Sequence, residues 1–213
     1  MNSYRVFAGL LAAGIAGTAS ADVISETNGA LIDWGTIGTS LVTSGPAQLY
    51  PSQINVAGAA GPISDVNITL HNGHHTWVAD LEVTLVSPAG TAVRVLDLTG
   101  VQNADTIDGD ITFDDSAAML FPDDDTDGTI SGTFLVSDFE NADADVPATA
   151  FGLDMSAFNG EDANGAWSLY IYDENAGDTG TFDGWTIDIV TVPAPASAAL
   201  LGLGGFAAAR RRR

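Results

Sequence analysis

Positive charge is what this chain of 213 residues lacks most. It has no lysine. Its six basic residues are Arg5, Arg94 and the terminal run Arg210, Arg211, Arg212 and Arg213, set against 28 acidic residues for a formal net charge of −22. That balance excludes nucleic acid as a partner, because such binding rests on cations that displace condensed counterions. It suits divalent cations, which carboxylate oxygens bind well. It equally suits solubility in a salty medium, where like charges are screened. Cysteine is absent too, which excludes disulfides, thiol nucleophiles and cysteine-ligated metal centres. Long segments of helical period are missing from the body, so a helical bundle is excluded.

What is present is period-two alternation. Val66, Ile68 and Leu70 share one face of VNITLH, and Leu81, Val83 and Leu85 share one face of LEVTLVS. TAVRVLDL carries Val93 and Val95 in phase with an opposite face that is also partly apolar, the pattern of a strand buried on both sides. Ile130, Phe134 and Val136 align, as do Trp167, Leu169 and Ile171, and Trp185, Ile187 and Ile189. Turn signals separate these runs at Ser87-Pro88-Ala89-Gly90, Asp108-Gly109, Asp127-Gly128, Asn164-Gly165 and Asp183-Gly184. Many short strands joined by such turns predict an all-β fold, an antiparallel, jelly-roll-like β-sandwich, with Trp167 and Trp185 as core anchors. The acidic stretch from Asp138 to Thr149 reads as an exposed loop.

The two ends differ from the body. Residues 1–21 read as a secretory signal peptide. Arg5 supplies the positive start, Val6 to Ala16 the apolar stretch, and Ala19 and Ala21 frame an A-x-A cleavage site. The mature chain is therefore expected to begin at Asp22, with residues 22–47 as a lead-in strand and linker, 48–190 as the sandwich and 191–213 as a tail. In the tail an apolar segment is followed by the four terminal arginines. Positive charge beside an apolar segment stays on the cytoplasmic side, which leaves the acidic body outside. The segment is short and rich in Gly and Ala, which suits transient membrane retention; a lasting C-terminal anchor is the other reading.

Two blocks do more than alternate. The first holds His75, then Asp80-Leu81 leading a strand, then Ser87-Pro88-Ala89-Gly90-Thr91. The second holds Asn164-Gly165-Ala166-Trp167, then Asp173, Gly177-Asp178-Thr179-Gly180 and Trp185. Over residues 48 to 190 their order and spacing resemble the P domain, or P/Homo B, the β-sandwich that follows the catalytic domain in proprotein convertases and many bacterial subtilases. In the hairpin signature Pro88 presets φ and Gly90 tolerates positive φ. Asp80 and Asp178 are expected to accept backbone N–H bonds, and His75 to be a structural hydrogen-bonding residue. The tail resembles the PEP-CTERM sorting signal of Gram-negative bacteria. Val192, Pro193 and Pro195 match its Val-Pro-Glu-Pro opening, Ala194 stands in place of Glu, and Arg210 to Arg213 form the basic end. That resemblance implies an exosortase-like sorting enzyme as partner and delivery to the cell surface or extracellular matrix of a Gram-negative-type bacterium.

The first resemblance implies a serine endopeptidase as the usual neighbour and raises the question of proteolysis by the chain itself. Ser40, the histidines near His71 and Asp178 stand in an order opposite to that of subtilases, and the all-β body leaves no room for their helical catalytic domain. No catalytic residue is assigned. For metals, Asp123, Asp125, Asp127 and Gly128 form the D-x-D-x-D-G opening of a calcium loop. Phe134 occupies the twelfth position, so a closing ligand must come from elsewhere, and Asp114 and Asp115 lie nearby in sequence. The same run also reads as a solvated acidic turn. His71, His74 and His75 are close enough in sequence to suggest a transition metal, or a loop with His71 and His74 exposed.

The function expected from these readings is that of a noncatalytic exported module for interaction or structure. One alternative is an accessory that stabilises a separate subtilisin-like serine protease. The other is a carbohydrate-binding module for exopolysaccharide, with Tyr170 and Tyr172, opposite Leu169 and Ile171, as exposed stacking rings.

Overall fold

The computed structural model describes residues 21–34, 44–97, 105–122, 128–138 and 150–192. Among the described residues fourteen strands follow one another: β1 (Asp22–Asn28), β2 (Ile32–Asp33), β3 (Gly45–Pro46), β4 (Ser52–Val56), β5 (Ile63–His75), β6 (Leu81–Val86), β7 (Thr91–Asp97), β8 (Thr106–Phe113), β9 (Thr129–Phe134), β10 (Ser137–Asp138), β11 (Ala150–Gly152), β12 (Gly165–Asp173), β13 (Gly180–Phe182) and β14 (Trp185–Thr191). Two short 3-10 turns, Val78–Asp80 and Met155–Phe158, interrupt them. The first sheet runs β1-β14-β5-β13-β2, with β8 on β5 and β9 on β8. The second runs β10-β7-β6-β12-β3, with β11 also on β7 and β4 also on β12. The result is the all-β sandwich that the alternation predicts.

Three pairings depart from a wholly antiparallel sandwich. β9 lies parallel to β8, and β10 and β11 lie parallel to β7. The alternation within a strand is blind to its direction. Connections longer than a tight hairpin allow a parallel return, and each of these strands is separated from its parallel partner by a long stretch of chain. The lead-in segment is also more than a lead. β1 pairs along its whole length with β14, β2 pairs with β13, and β3 pairs with β12, so strands of this segment enter both sheets.

The inner faces hold the residues that alternate in sequence. Val66, Ile68 and Leu70 of β5 and Ile187 and Ile189 of β14 share one core with Leu81, Val83 and Leu85 of β6 and Leu169 and Ile171 of β12. Trp167 and Trp185 are fully buried, and Trp34 is nearly so. The Trp185 Nε1–H donates to Ser52 Oγ on the opposite sheet at 3.0 Å, and the Trp167 Nε1–H donates to the Ala163 carbonyl at 3.0 Å. Both indoles thus bury their rings without orphaning their polar atoms.

Asp108-Gly109 is not a turn. It lies inside β8, with Gly109 opposite Gly73 of β5. The register slips there between Leu70 and Gly73, and Asn72 adopts a φ of 45°. An extra residue in β5 forms a bulge, which turns Gly73 and His75 inward again after the outward His71. The Gly in Asp-Gly marks a bulge in a strand as readily as a turn between strands.

Candidate functional site

Most of the polar signature residues meet at one end of the sandwich, where β5, β12 and β13 finish or begin. His75 closes β5 and is fully buried. Gly180 lies beside it in register, and a Cβ there would sit 2.3 Å from His75 Cδ2, so only glycine fits. His75 Nδ1 accepts the backbone N–H of Trp77 at 3.2 Å. In the neutral ring the proton is then on Nε2, which faces Asp173 Oδ2 at 3.5 Å. Asp173 Oδ1 accepts the N–H of Asn175, whose side-chain amide donates to Asp80 Oδ1 at 2.8 Å. The Thr76 hydroxyl donates to Asp178 Oδ1 at 2.7 Å. Asp80 and Asp178 therefore accept from side chains, and it is Asp173 that takes the backbone N–H. Burial raises the pKa of Asp80, neighbouring Asp173 and Asp178 add to the rise, and the Asn175 bond opposes it. A His–Asp pair of this kind can orient a proton, but its full burial keeps any substrate from the ring. Its work is to tie the first sheet to the second.

The two signature blocks also meet at the opposite end. Ser87 N–H donates to the Thr91 carbonyl at 2.8 Å and Gly90 N–H to the Ser87 carbonyl at 3.0 Å, with Gly90 at a φ of 89°. This is the hairpin that Ser-Pro-x-Gly-Thr predicts. The Thr91 hydroxyl donates to Glu161 of the second block. A shallow cleft of about 270 Å³ lies beside it, lined by Pro62, Glu161, Asp162 and Asn164 among others. Several of its polar atoms serve the loop itself. Asn164 exchanges two hydrogen bonds with the Ala59 backbone, and Asp162 accepts the backbone and side-chain N–H groups of Asn164, which lowers its pKa.

A third polar group escaped the sequence reading. On the outer side of the second sheet, Arg94 Nε lies 3.3 Å from Glu82 Oε1 and 3.7 Å from Asp97 Oδ2, and all three residues are buried. Glu82 and Asp97 face each other in register across β6 and β7. Burial pushes the Glu82 carboxyl up to about 7; Arg94 opposes the rise, while Asp97 and Glu174 add to it. A signal was available. Arg94 is the single cation between the two ends of the chain, and it stands in an otherwise apolar run with an acid three residues on.

Other sequence candidates fall differently. His71 and His74 are on strand β5 and not on a loop. His71 Nε2 bonds the Thr186 hydroxyl at 2.6 Å, while His75 is turned to the interior, so the three rings do not converge. Tyr170 is not an exposed stacking ring. It is 9% exposed and packs with Val86 and Ala92 under Tyr50, whose ring centroid is 4.9 Å away; only Tyr172 stays half-buried. Asp114 and Asp115 are engaged by backbone N–H groups. Asp114 accepts the N–H of Ser116, and Asp115 accepts the N–H groups of Met155 and Ser156. The carboxylate that reaches the edge of the acidic run is instead Asp105, buried, which accepts the N–H of Gly128. Asp123, Asp125 and Asp127 lie outside the described residues, as do Ser40, Ala19, Pro193, Pro195 and Arg210 to Arg213. Among the described residues no group of three His, Asp or Glu is placed to hold a metal ion, and no helix is long and apolar enough to cross a membrane.

The model of the proprotein convertase P-domain matches residues 63–189. The serine protease of Aeromonas sobria in complex with its chaperone is similar at 17% identity and a TM-score of 0.36, over 82% of this chain and 27% of that one. The same protease alone is similar at 18% identity and a TM-score of 0.36, over 81% of this chain and 26% of that one. The chain thus spans about a quarter of the length of those solved structures. No curated protein matches it.

Proposed function

The chain belongs to the proprotein convertase P-domain family, and on that premise we propose that it acts as a noncatalytic exported module that binds and stabilises a protein partner, a subtilisin-like serine protease being the partner class the family favours. One observation carries this reading. The signature residues His75, Asp80, Asp173, Asp178 and Gly180 are engaged inside the protein: His75 faces Asp173 across the two sheets, Asn175 bonds Asp80, Thr76 bonds Asp178 and Gly180 packs on the His75 ring, with His75, Asp80 and Asp173 buried. A reactive site needs a group that substrate can touch; this cluster offers a rigid frame instead.

The purified chain is expected to show no labelling by a serine-reactive fluorophosphonate probe. Stoichiometric labelling lost in Ser40→Ala would overturn the noncatalytic reading. In a second arm, the chain is mixed with a subtilisin-type protease that lacks such a domain. A longer half-life of the protease at elevated temperature supports the accessory role; an unchanged half-life and no co-elution count against it.

The ends of the chain complete the proposal. The signal peptide would export the body, and the tail would hold it at the membrane until an exosortase-like enzyme releases it to the surface or matrix. Mass spectrometry of the secreted form is expected to show Asp22 as the first residue and loss of Arg210 to Arg213. Calcium at Asp123, Asp125 and Asp127 rests on the alternating carboxylates of that run.

A further inference from the structure

Four buried carboxylates crowd one end of the second sheet. Glu82 is 4% exposed, Asp97 0%, Asp173 4% and Asp80 5%. Register sets them there in two pairs: Glu82 opposite Asp97 on β7 and opposite Tyr172 on β12, on the outer face, and Leu81, which follows Asp80, opposite Asp173, which faces the interior at His75. Glu174 joins them just past the end of β12. The basic groups at this end are the guanidinium of Arg94, between Glu82 and Asp97, and the imidazole of His75, whose Nε2 faces Asp173. Ionised carboxylates removed from water need a counter-charge, and like charges close together resist joint ionisation. One arginine between Glu82 and Asp97 neutralises one of them.

We infer that the folded chain keeps a proton on Glu82 under conditions where the unfolded chain has lost it, so that the β6–β7–β12 end of the second sheet is a clasp tightened by mild acid and loosened above neutral pH. The groups facing Glu82 are Arg94 and Asp97 from β7, Tyr172 and Glu174 from β12 and the residue after it, and Thr84 on its own strand, whose hydroxyl donates to Glu82 Oε1 at 3.4 Å. A proton on Glu82 leaves Arg94 and Asp97 as a balanced pair. Its loss leaves two buried negative charges beside one cation. Burial, with Asp97 and Glu174 adding and Arg94 opposing, raises the folded Glu82 from 4.5 to about 7. The folded state therefore binds more protons than the unfolded state between those two values. The stability so gained is full below the ordinary glutamate range and is lost as pH rises through about 7. Burial raises Glu174 and Asp80 in the same direction.

The test is the melting temperature of the purified chain from about pH 5 to about pH 8.5, for wild type and for Glu82→Gln, which mimics the protonated side chain. Wild type is expected to lose melting temperature across the window. Glu82→Gln is expected to lose much less and to melt above wild type at the alkaline end. Parallel profiles for the two, or a wild-type profile that is flat or rising, would overturn the inference. A calcium-dependent gain at alkaline pH that disappears in Glu82→Gln would overturn it as well, by showing a cation where the proton is placed. Should Glu82→Gln fail to fold, the carboxyl carbon resonance of Glu82 in the wild type decides: titration near neutral pH is expected, and titration in the ordinary glutamate range refutes the proposal.

Discussion

The outer faces of the two sheets are built from strands of the same alternating kind, yet they are chemically opposite. On the first sheet, register lines up Thr27, Thr186, Thr69, Thr112 and Thr133 across β1, β14, β5, β8 and β9. Their hydroxyls bond one another, Thr27 to Thr186 at 2.7 Å and Thr69 to Thr112 at 2.9 Å, and Asp188, Asn67 and Asp110 surround them. On the second sheet, the outer positions of β6 and β7 are Glu82, Thr84 and Val86 and Ala92, Arg94 and Asp97, and every one of them is buried. The first face meets water, where a charge or hydroxyl is solvated at little cost. The second is shielded, so each polar group there must find its partner in the protein. Identical periodicity thus leads to a tolerant face and an intolerant one.

The largest effect should be common to both sheets and so serve as the reference. Trp167→Ala empties the second sheet's side of the core, and Trp185→Ala the first sheet's side. Each is expected to cost about 3–5 kcal/mol in denaturant unfolding. A loss below about 1 kcal/mol for either would mean that sheet does not share the core.

The outer faces should then separate. Arg94→Met removes the cation between Glu82 and Asp97, and breaking such a buried group is expected to cost about 3 kcal/mol at alkaline pH. At mildly acid pH the loss should shrink, because Glu82 then carries a proton. An equal loss at both pH values would break the contrast drawn between the faces. The acidic run that leads into β9, at the edge of the first sheet, should respond to calcium instead. Calcium at about a hundred times Kd is expected to raise stability by about 2.7 kcal/mol, and the triple Asp→Asn change at positions 123, 125 and 127 to abolish the gain. An equal response of wild type and triple variant would leave that run a solvated turn. The smallest effect is expected on the threonine row, where Thr69→Ala should cost about 0.2–1 kcal/mol, the scale of one cross-strand pair. A loss above about 2 kcal/mol would show that this face is as intolerant as the other.

Much of the frame was legible from local pattern. The strands of β5, β6, β7, β12 and β14, the Ser87–Thr91 hairpin, and the burial of both signature tryptophans follow from alternation and turn chemistry, which are properties of neighbours along the chain. The errors share a cause as well. Asp108-Gly109 reads as a turn unless one knows that Gly73 lies opposite it. Tyr170 reads as exposed because its neighbours Leu169 and Ile171 point inward, and nothing local shows that Tyr50 covers the other side.

Sequence by itself determined the class of this protein: all-β, acidic, without thiol or lysine chemistry, bearing the signature of the P-domain family. The class, the charge and the missing chemistries are consequences of composition and of a period of two, while the family signature is a resemblance in the order of two motif blocks. Only the tertiary structure decided which polar residues matter. Glu82 and Asp97 sit on the two arms of the hairpin that turns at Ser87–Thr91, but that the face they share with Arg94 is shut off from water is decided only in the folded structure. His75 meets Asp173, and Asn175 meets Asp80, only there as well. Electrostatic energy depends on distance and on exclusion of water, and neither is set until the sheets have paired and closed.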